Sequence, residues 1–437
     1  MQVHGTRSPV KRRAELFRYA GLEVARASLR AHYELDGVAF EEMITFEGVE
    51  SLDQPVTRSL AELWYLLAGL SYYKAGAARR IDLCATGLGT SGDELFRAAL
   101  TDGLGEYAYR NDLALEDVTI EGGTGVHSHT APIDPDKVLI PFGGGIDSVV
   151  TTTQISQRLD RALFVVSPSS GRFEPLEQTA AVTGLPIIRA TRTLDPKILR
   201  DDPKFFHGHV PVTSMVTVLA VIAALANGRG GIVMSNEHSA SAPNLRWHDR
   251  DVNHQWSKSL IAEELIAQAV RERVGGKVVV ASFLRNRSEL WVAQQFAKRT
   301  EYHHVFRSCN RAFNQDQASR LGTWCGVCDK CLFINLVLAP FLSRDQLRSI
   351  FGSEPLANPA LEGQLRSLVG LGHEHKPFEC VGDPDESAVA LAKVAELKEW
   401  SDVAFLGETA LQASADRTLD ELLESQGRSR VPAHWLR

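Results

Sequence analysis

Val138-Leu139-Ile140-Pro141-Phe142 is a short β-rich run that ends in three successive glycines, Gly143, Gly144 and Gly145, followed by Ile146, Asp147 and Ser148 where a helical pattern begins. A strand that feeds a glycine loop and then a helix leaves unpaired backbone N–H groups at the helix start, where they and the helix dipole favour an anion. Phosphate is the obvious anion. The glycines let the backbone approach it, Ser148 can donate a hydroxyl hydrogen bond, and Asp147 can help hold magnesium or cap the helix. The alternative is a glycine-rich turn in which Asp147 or Ser148 is a plain cap.

The β-α rhythm continues beyond this loop. Strands are expected at 162–167, 186–190, 231–235 and 277–281, with a helix over 259–274, and this alternation predicts a parallel sheet. Upstream, a polar-apolar alternation over 29–46 with a turn at Asp36-Gly37 precedes a helical pattern through Leu60, Leu63, Leu67 and Leu70. A glycine- and proline-bearing loop over 121–136 separates the two regions. Past residue 300 come a cysteine cluster, an apolar helix over 332–342 and helical periodicity over 387–400. At about 150 residues per domain, the 437 residues divide into an α+β domain (1–130), an α/β domain (131–300) and a mainly helical region with the cysteine cluster (301–437).

Composition narrows the function classes. Basic residues number 47 and acidic residues 54, a formal charge of −7, which provides no footprint for sequence-independent nucleic-acid binding. The basic residues Lys11, Arg12 and Arg13 have no apolar run behind them, so no secretory signal is expected. The most apolar stretch, 210–226, is shorter than a bilayer span and interrupted by polar residues, which suits a buried helix. A cytoplasmic protein with no membrane partner is expected.

Of six cysteines, Cys309, Cys325, Cys328 and Cys331 fall in one segment, while Cys84 and Cys380 stand apart. Successive C-x-x-C steps can turn around one ion, and four thiolates point to a structural zinc; an iron-sulfur cluster uses the same ligands. A second glycine motif, Gly87-Leu88-Gly89-Thr90-Ser91-Gly92, matches G-x-G-x-x-G, but the nearest suitable acid, Glu121, comes later than a dinucleotide ribose requires. A tight turn or substrate-facing loop explains it better.

Polar residues concentrate after the strand at 231–235. Asn236, Glu237, His238 and Ser239, then Asn244, then Asn253, His254, Gln255 and Lys258 stand where ligands bind in open α/β sheets. Amides, an acid, imidazoles and an ammonium suit a carboxylate or sugar-nucleotide substrate, and Asn236, Ser239, Asn244, Asn253 and Gln255 are the candidates for holding it. Each residue alone also reads as a cap or a solvated side chain. A later stretch, His373 to Gly382, carries Cys380, either an acid/base thiol or a small buried hydrophobe.

The loop at Gly143 to Ser148 resembles that of the PP-loop ATP pyrophosphatases (adenine nucleotide alpha-hydrolase-like fold), Ser-Gly-Gly-x-Asp-Ser, with Gly143 standing where the family has its first Ser. That resemblance implies an ATP-binding domain in which Ser167, ending the second strand, lies where main-chain groups grip adenine. A comparable cysteine cluster follows this domain in the deazapurine nitrile synthases. Taken with Ser235 to Ala240, Asn253 to Ser259, the cysteine cluster and Lys376 to Gly382, the chain resembles the MurL family of UDP-N-acetylmuramoyl-L-alanyl-L-glutamate epimerases. The resemblance implies that ATP and magnesium serve to adenylate the substrate carboxylate, releasing pyrophosphate and AMP, while a base inverts the terminal L-Glu to D-Glu during peptidoglycan precursor synthesis. Gly143, Gly144, Gly145, Asp147 and Ser148 would then bind the departing pyrophosphate. Glu237, His238, His254 and Cys380 are the candidate bases, and Lys258 would steady phosphates or the substrate carboxylate. It also implies functional coupling to a ligase that adds L-Glu to a muramoyl-L-alanine. The rivals are another PP-loop adenylating enzyme (amidation, thiolation or nitrile formation) and a non-catalytic nucleotide-binding module. A glutaminase-coupled synthetase is disfavoured because Gln2 follows Met1 where a nucleophilic cysteine is expected.

Overall fold

The computed structural model describes residues 11–436, apart from 201, 277, 314–316 and 373–374. The readings at Met1, Gln2, His373 and Glu374 therefore lie outside the described residues.

The strands are β1 (Leu16–Ala25), β2 (Ser28–Leu35), β3 (Val38–Glu47), β4 (Arg80–Asp82), β5 (Thr119–Glu121), β6 (His129–Thr130), β7 (Asp134–Pro141), β8 (Asp160–Pro168), β9 (Ile187–Thr193), β10 (Arg229–Met234), β11 (Leu245–Trp247), β12 (Arg250–Val252), β13 (Val274–Gly275) and β14 (Val279–Ser282). Ten of them form one sheet in the order β14-β10-β7-β8-β9-β3-β2-β1-β4-β5. Pairing is parallel from β14 to β9, as βα alternation dictates, and parallel again through β1-β4-β5. Between them the hairpin strands pair antiparallel, and β3 joins β9 in register Ile44↔Arg192. The regions on either side of residue 130 thus share one mixed, mostly parallel sheet.

Local chemistry explains these elements. In β2 every second residue is buried, and the two-residue turn holds Asp36 and Gly37 at φ 44° and 83°, the geometry an Asp-Gly hairpin supplies. The helix Val212–Ala226 is apolar nearly all round because it is buried between the sheet and the helix Pro55–Tyr73. On the opposite face lie the helices Ile146–Gln154, Glu289–Ala297 and Asp329–Leu338 with a second core. At the β3–β9 junction, fully buried Glu42 accepts from Arg192 Nε at 2.7 Å. Removing Arg192 would strand a buried carboxylate, a cost of about 3–5 kcal/mol. Among the described residues no helix is long and apolar enough to cross a membrane.

Candidate active site

β7 delivers the chain to the glycine loop, and Gly145 precedes the helix Ile146–Gln154 without any side chain capping its N–H groups. Gly144 has φ 74°, and a Cβ there would lie 3.2 Å from the Leu176 Cα, so only glycine fits. A Cβ on Gly143 would meet nothing within 4 Å. The loop therefore opens onto a cavity of about 360 Å³. One part of its wall is apolar (Phe164, Val166, Val216, Met234), and another is cationic (Lys258, Arg307, Lys330). Asp147 also faces it, with Oδ1 buried and unpartnered. Burial and the nearby Glu237 carboxylate raise the Asp147 pKa to about 7 against the pull of Lys330 and Lys258. Ser148 donates its hydroxyl to the Gly145 carbonyl at 3.0 Å, closing the first turn.

The other glycine motif has the opposite character. The helix Thr90–Thr101 begins with Thr90, Ser91 and Gly92, whose backbone N–H groups donate to the Glu272 carboxylate at 2.7, 3.0 and 3.3 Å. The chain's own carboxylate occupies the place a dinucleotide pyrophosphate would need.

Cys380 lines the glycine-loop cavity together with Lys258, whose Nζ stands 3.3 Å from the thiol sulfur. Burial raises the thiol pKa, but Lys258 and His254, with Lys330 behind them, outweigh it and bring it down to about 5. Burial lowers the His254 pKa, yet hydrogen bonding to Cys380 and Glu106 lifts it to about 9. Lys258 is likewise held above its ordinary value, burial being outweighed by Cys380, Glu237 and Asp147. Near neutral pH the site accordingly holds a thiolate among cations.

Much of the polar density expected to face substrate builds this arrangement instead. Asn244 donates to the Lys376 and Pro377 carbonyls at 3.2 and 2.7 Å and accepts from the His254 backbone N–H at 2.8 Å. Gln255 donates to the Val381 carbonyl at 3.0 Å, and Asn253 to the Ala240 carbonyl at 2.9 Å. Asn244 and Gln255 thereby fasten the Cys380 segment to the wall that carries His254 and Lys258, while Asn253 ties that wall to Ala240. Arg285, paired with Glu263 at 2.9 Å with both side chains 2% exposed, donates to the Glu237 and Lys258 carbonyls. Losing Arg285 would leave Glu263 buried and unpaired, again about 3–5 kcal/mol.

The remaining candidates are distributed as follows. Asn236 lines the cavity; Ser239 is buried, with a hydroxyl that has no partner. Glu237 is 3% exposed and acts on the site through its charge. His238 lines a different cavity of about 510 Å³, beside Trp256 and Arg250, and burial with the Arg417 charge holds its pKa low. Ser167 is buried in β8, while Val166 faces the glycine-loop cavity. Sequence reasoning missed Arg307, Ser308 and Lys330, which flank or lie between the cysteines and line the cavity.

The four cysteines converge. Their sulfurs lie within 4.8 Å of one another, with Cys328 and Cys325 at 3.5 and 3.6 Å from Cys331. That is close to the roughly 3.8 Å that a tetrahedral ion with bonds of about 2.3 Å would set, so the donor set fits one thiophilic metal. Ser308, immediately before Cys309, has its hydroxyl 2.7 Å from where a Gly145 Cβ would stand, so the cluster abuts the glycine loop.

The family model of the MurL N-terminal domain matches residues 9–283, and that of the MurL C-terminal domain matches residues 305–424. The chain is 40% identical over 346 residues to a Salinispora tropica protein, covering 78% of this chain and 74% of that one. It is 39% identical over 366 residues to a Micromonospora protein, covering 81% and 80%, and 34% identical over 386 residues to one from Xanthomonas oryzae, covering 86% and 84%. Each of these relatives is named UDP-N-acetyl-alpha-D-muramoyl-L-alanyl-L-glutamate epimerase. No solved structure matches the chain. With both of its halves matched and this identity sustained over most of its length, the chain belongs to the MurL family.

Proposed function

We propose that this chain epimerises the terminal L-Glu of UDP-N-acetylmuramoyl-L-alanyl-L-glutamate to D-Glu, in peptidoglycan precursor synthesis in the cytoplasm, and that it does so with ATP on a PP-loop fold. The observation that carries the mechanism is the placement of a low-pKa thiol, Cys380, and Lys258 in the same cavity as an uncapped phosphate loop. The family names support the reaction; the cavity supports its route.

A free carboxylate resists loss of the neighbouring α-proton because the carbanion adds charge beside existing charge. Converting it to an acyl adenylate removes that charge and lets the new electron pair delocalise. The loop N–H groups of Gly143 to Ser148 would hold the pyrophosphate that leaves, and Lys258, Lys330 and Arg307 would balance its charge. Asp147, with its buried unpartnered oxygen, fits a magnesium ion, which would supply charge neutralisation between the phosphates. The apolar wall at Phe164, Val166 and Met234 would take the adenine. The Cys380 thiolate removes the α-proton: the C–H bond breaks, an S–H bond forms, and the electron pair stays on the carbon. A solvent proton delivered to the opposite face of the α-carbon, return of the Cys380 thiol proton to solvent, and attack of water on the acyl carbon with AMP as the leaving group complete the inversion.

A zinc ion at Cys309, Cys325, Cys328 and Cys331 would be structural, since four thiolates leave no open position. A ligase that adds L-Glu to the muramoyl-L-alanine precursor would supply the substrate.

The test is Cys380→Ser with α-proton exchange followed in deuterium oxide. Exchange should fall by roughly 10²–10⁴-fold, with substrate-dependent pyrophosphate release falling far less. A variant that still exchanges at the parent rate removes Cys380 from the role.

A further inference from the structure

His254 is held from several sides. Its backbone N–H is tied to Asn244, and its Nδ1 donates to Glu106 Oε2 at 2.5 Å. Glu106 is 6% exposed, sits on the helix Gly105–Asn111, and also accepts from Arg110 Nε at 2.6 Å. The His209 ring covers the His254 ring, with centroids 4.2 Å apart and planes tilted by 37°. With Nδ1 engaged by the carboxylate, Nε2 is the ring nitrogen left for the Cys380 thiol. The three residues come from separate parts of the chain, Glu106 and His254 alone standing 148 positions apart.

We infer that Glu106 is the positioning residue of the acid/base pair, fixing the His254 ring with Nε2–H toward Cys380 and stabilising the imidazolium that faces the thiolate. His209 serves as a flat neutral ring that limits rotation of His254. This inference rests on the role proposed above for Cys380. The physics is that of a carboxylate orienting an imidazole: one nitrogen is tied down, so the other is aimed, and the tautomer is set by the bond the first nitrogen makes.

The surrounding charges agree with a proton-bonded arrangement. Burial and the charge on His254 push His209 down to about 4, so it is neutral at physiological pH. Burial raises the Glu106 pKa, but His254 and Arg110 hold it below its ordinary value. Around Cys380 stand Lys258, His254 and Lys330, with Asp147 across the cavity; around His209, Lys74 and Lys258 add positive charge. Ligand atoms of Glu106, His209 and His254 also lie within 4.8 Å of one another, a spacing that a divalent cation could use. Arg110 on the same carboxylate speaks against a cation there.

The experiment is the pH profile of Cys380 alkylation by iodoacetamide in the full-length protein, read at the Cys380 peptide by mass spectrometry, for the parent, Glu106→Gln and Glu106→Asp. Glu106→Gln should move the alkylation midpoint up by about one pH unit or more, and Glu106→Asp should restore part of the shift. In the same variants kcat for inversion should fall by about 10–100-fold with KM for the dipeptide substrate little changed. Thermal melts within a few degrees of the parent exclude simple misfolding. An unmoved midpoint in Glu106→Gln overturns the inference, as does loss of one bound metal equivalent in that variant. If Cys380→Ser still exchanges the α-proton, the reading of Cys380 falls, while the alkylation profile still decides whether Glu106 orients His254.

Discussion

Two glycine loops in this chain share a strand–loop–helix form, and they end differently. At Gly87 to Gly92 the helix N-terminus is filled by the Glu272 carboxylate, held by Thr90, Ser91 and Gly92. At Gly143 to Ser148 the helix has no capping side chain and faces a cavity with Lys258, Lys330 and Cys380 on its walls. Glycines at such a position report only that the backbone must bend and approach closely. What lies beyond the helix start decides whether the loop binds a ligand or fastens two parts of the fold, and in the first loop the fastening acid comes from a helix about 180 residues later, Leu260–Arg273.

The sharpest way to break this contrast is to obstruct the open loop. Gly144→Val places a side chain against Leu176 at a left-handed backbone position, and substrate-dependent AMP should fall by about 10²-fold or more. Near-parent AMP release would show that the loop is not where ATP reacts. The pH dependence of inversion comes next. With the Cys380 thiolate as the proposed base, the rate should fall about tenfold per pH unit as pH drops below the Cys380 value of about 5. It falls again as pH rises above the His254 value of about 9, where the imidazolium is lost, giving a plateau between the two limbs. With saturating magnesium-ATP, which would hold Asp147 ionised, a single limb centred near 7 would contradict the assigned pair.

At the closed loop the effect should be on stability alone. Glu272→Gln keeps the shape but removes the charge at the helix start, and chemical denaturation should report a loss of about 1–2 kcal/mol with AMP formation unchanged. A large loss of activity there would erase the distinction between the loops. The smallest effect is expected for Gly143→Ser. Its Cβ meets open space, so the added hydroxyl should change KM for ATP by less than about tenfold, read from initial rates of pyrophosphate release.

Legibility followed locality. The β7–loop–helix unit, the Asp36-Gly37 hairpin and the buried helix Val212–Ala226 were readable because their signals lie within a few consecutive residues. β1 was not anticipated: its alternation is interrupted by a register shift between Tyr19 and Gly21, and its second half is largely unburied. The β3–β9 pairing, which makes one sheet of both regions, joins strands with no local signal of their partner. Within the site, Lys258 and Cys380 could be named as chemically suited residues, but their proximity depends on Asn244 and Gln255 bonding to the backbone around Cys380. Those amides looked like ligand contacts because a sequence shows which polar groups are present and not which backbone groups they satisfy. In β8 successive side chains point to opposite faces and Val166 is the one that meets the cavity, an alternation that leaves the main-chain contact expected at Ser167 untouched. Lys330 and Arg307 stand in and beside a segment whose dominant local signal is its thiols, which hides their place on the cavity wall. Glu106 and His209 carried no motif at all.

The most direct test of the account is incubation with magnesium-ATP and UDP-N-acetylmuramoyl-L-alanyl-L-glutamate, following AMP and pyrophosphate and then the chirality of glutamate after acid hydrolysis. AMP and pyrophosphate should appear only with the dipeptide substrate, accompanied by D-glutamate. Inversion that proceeds without ATP, or AMP release with the glutamate still wholly L, would contradict it.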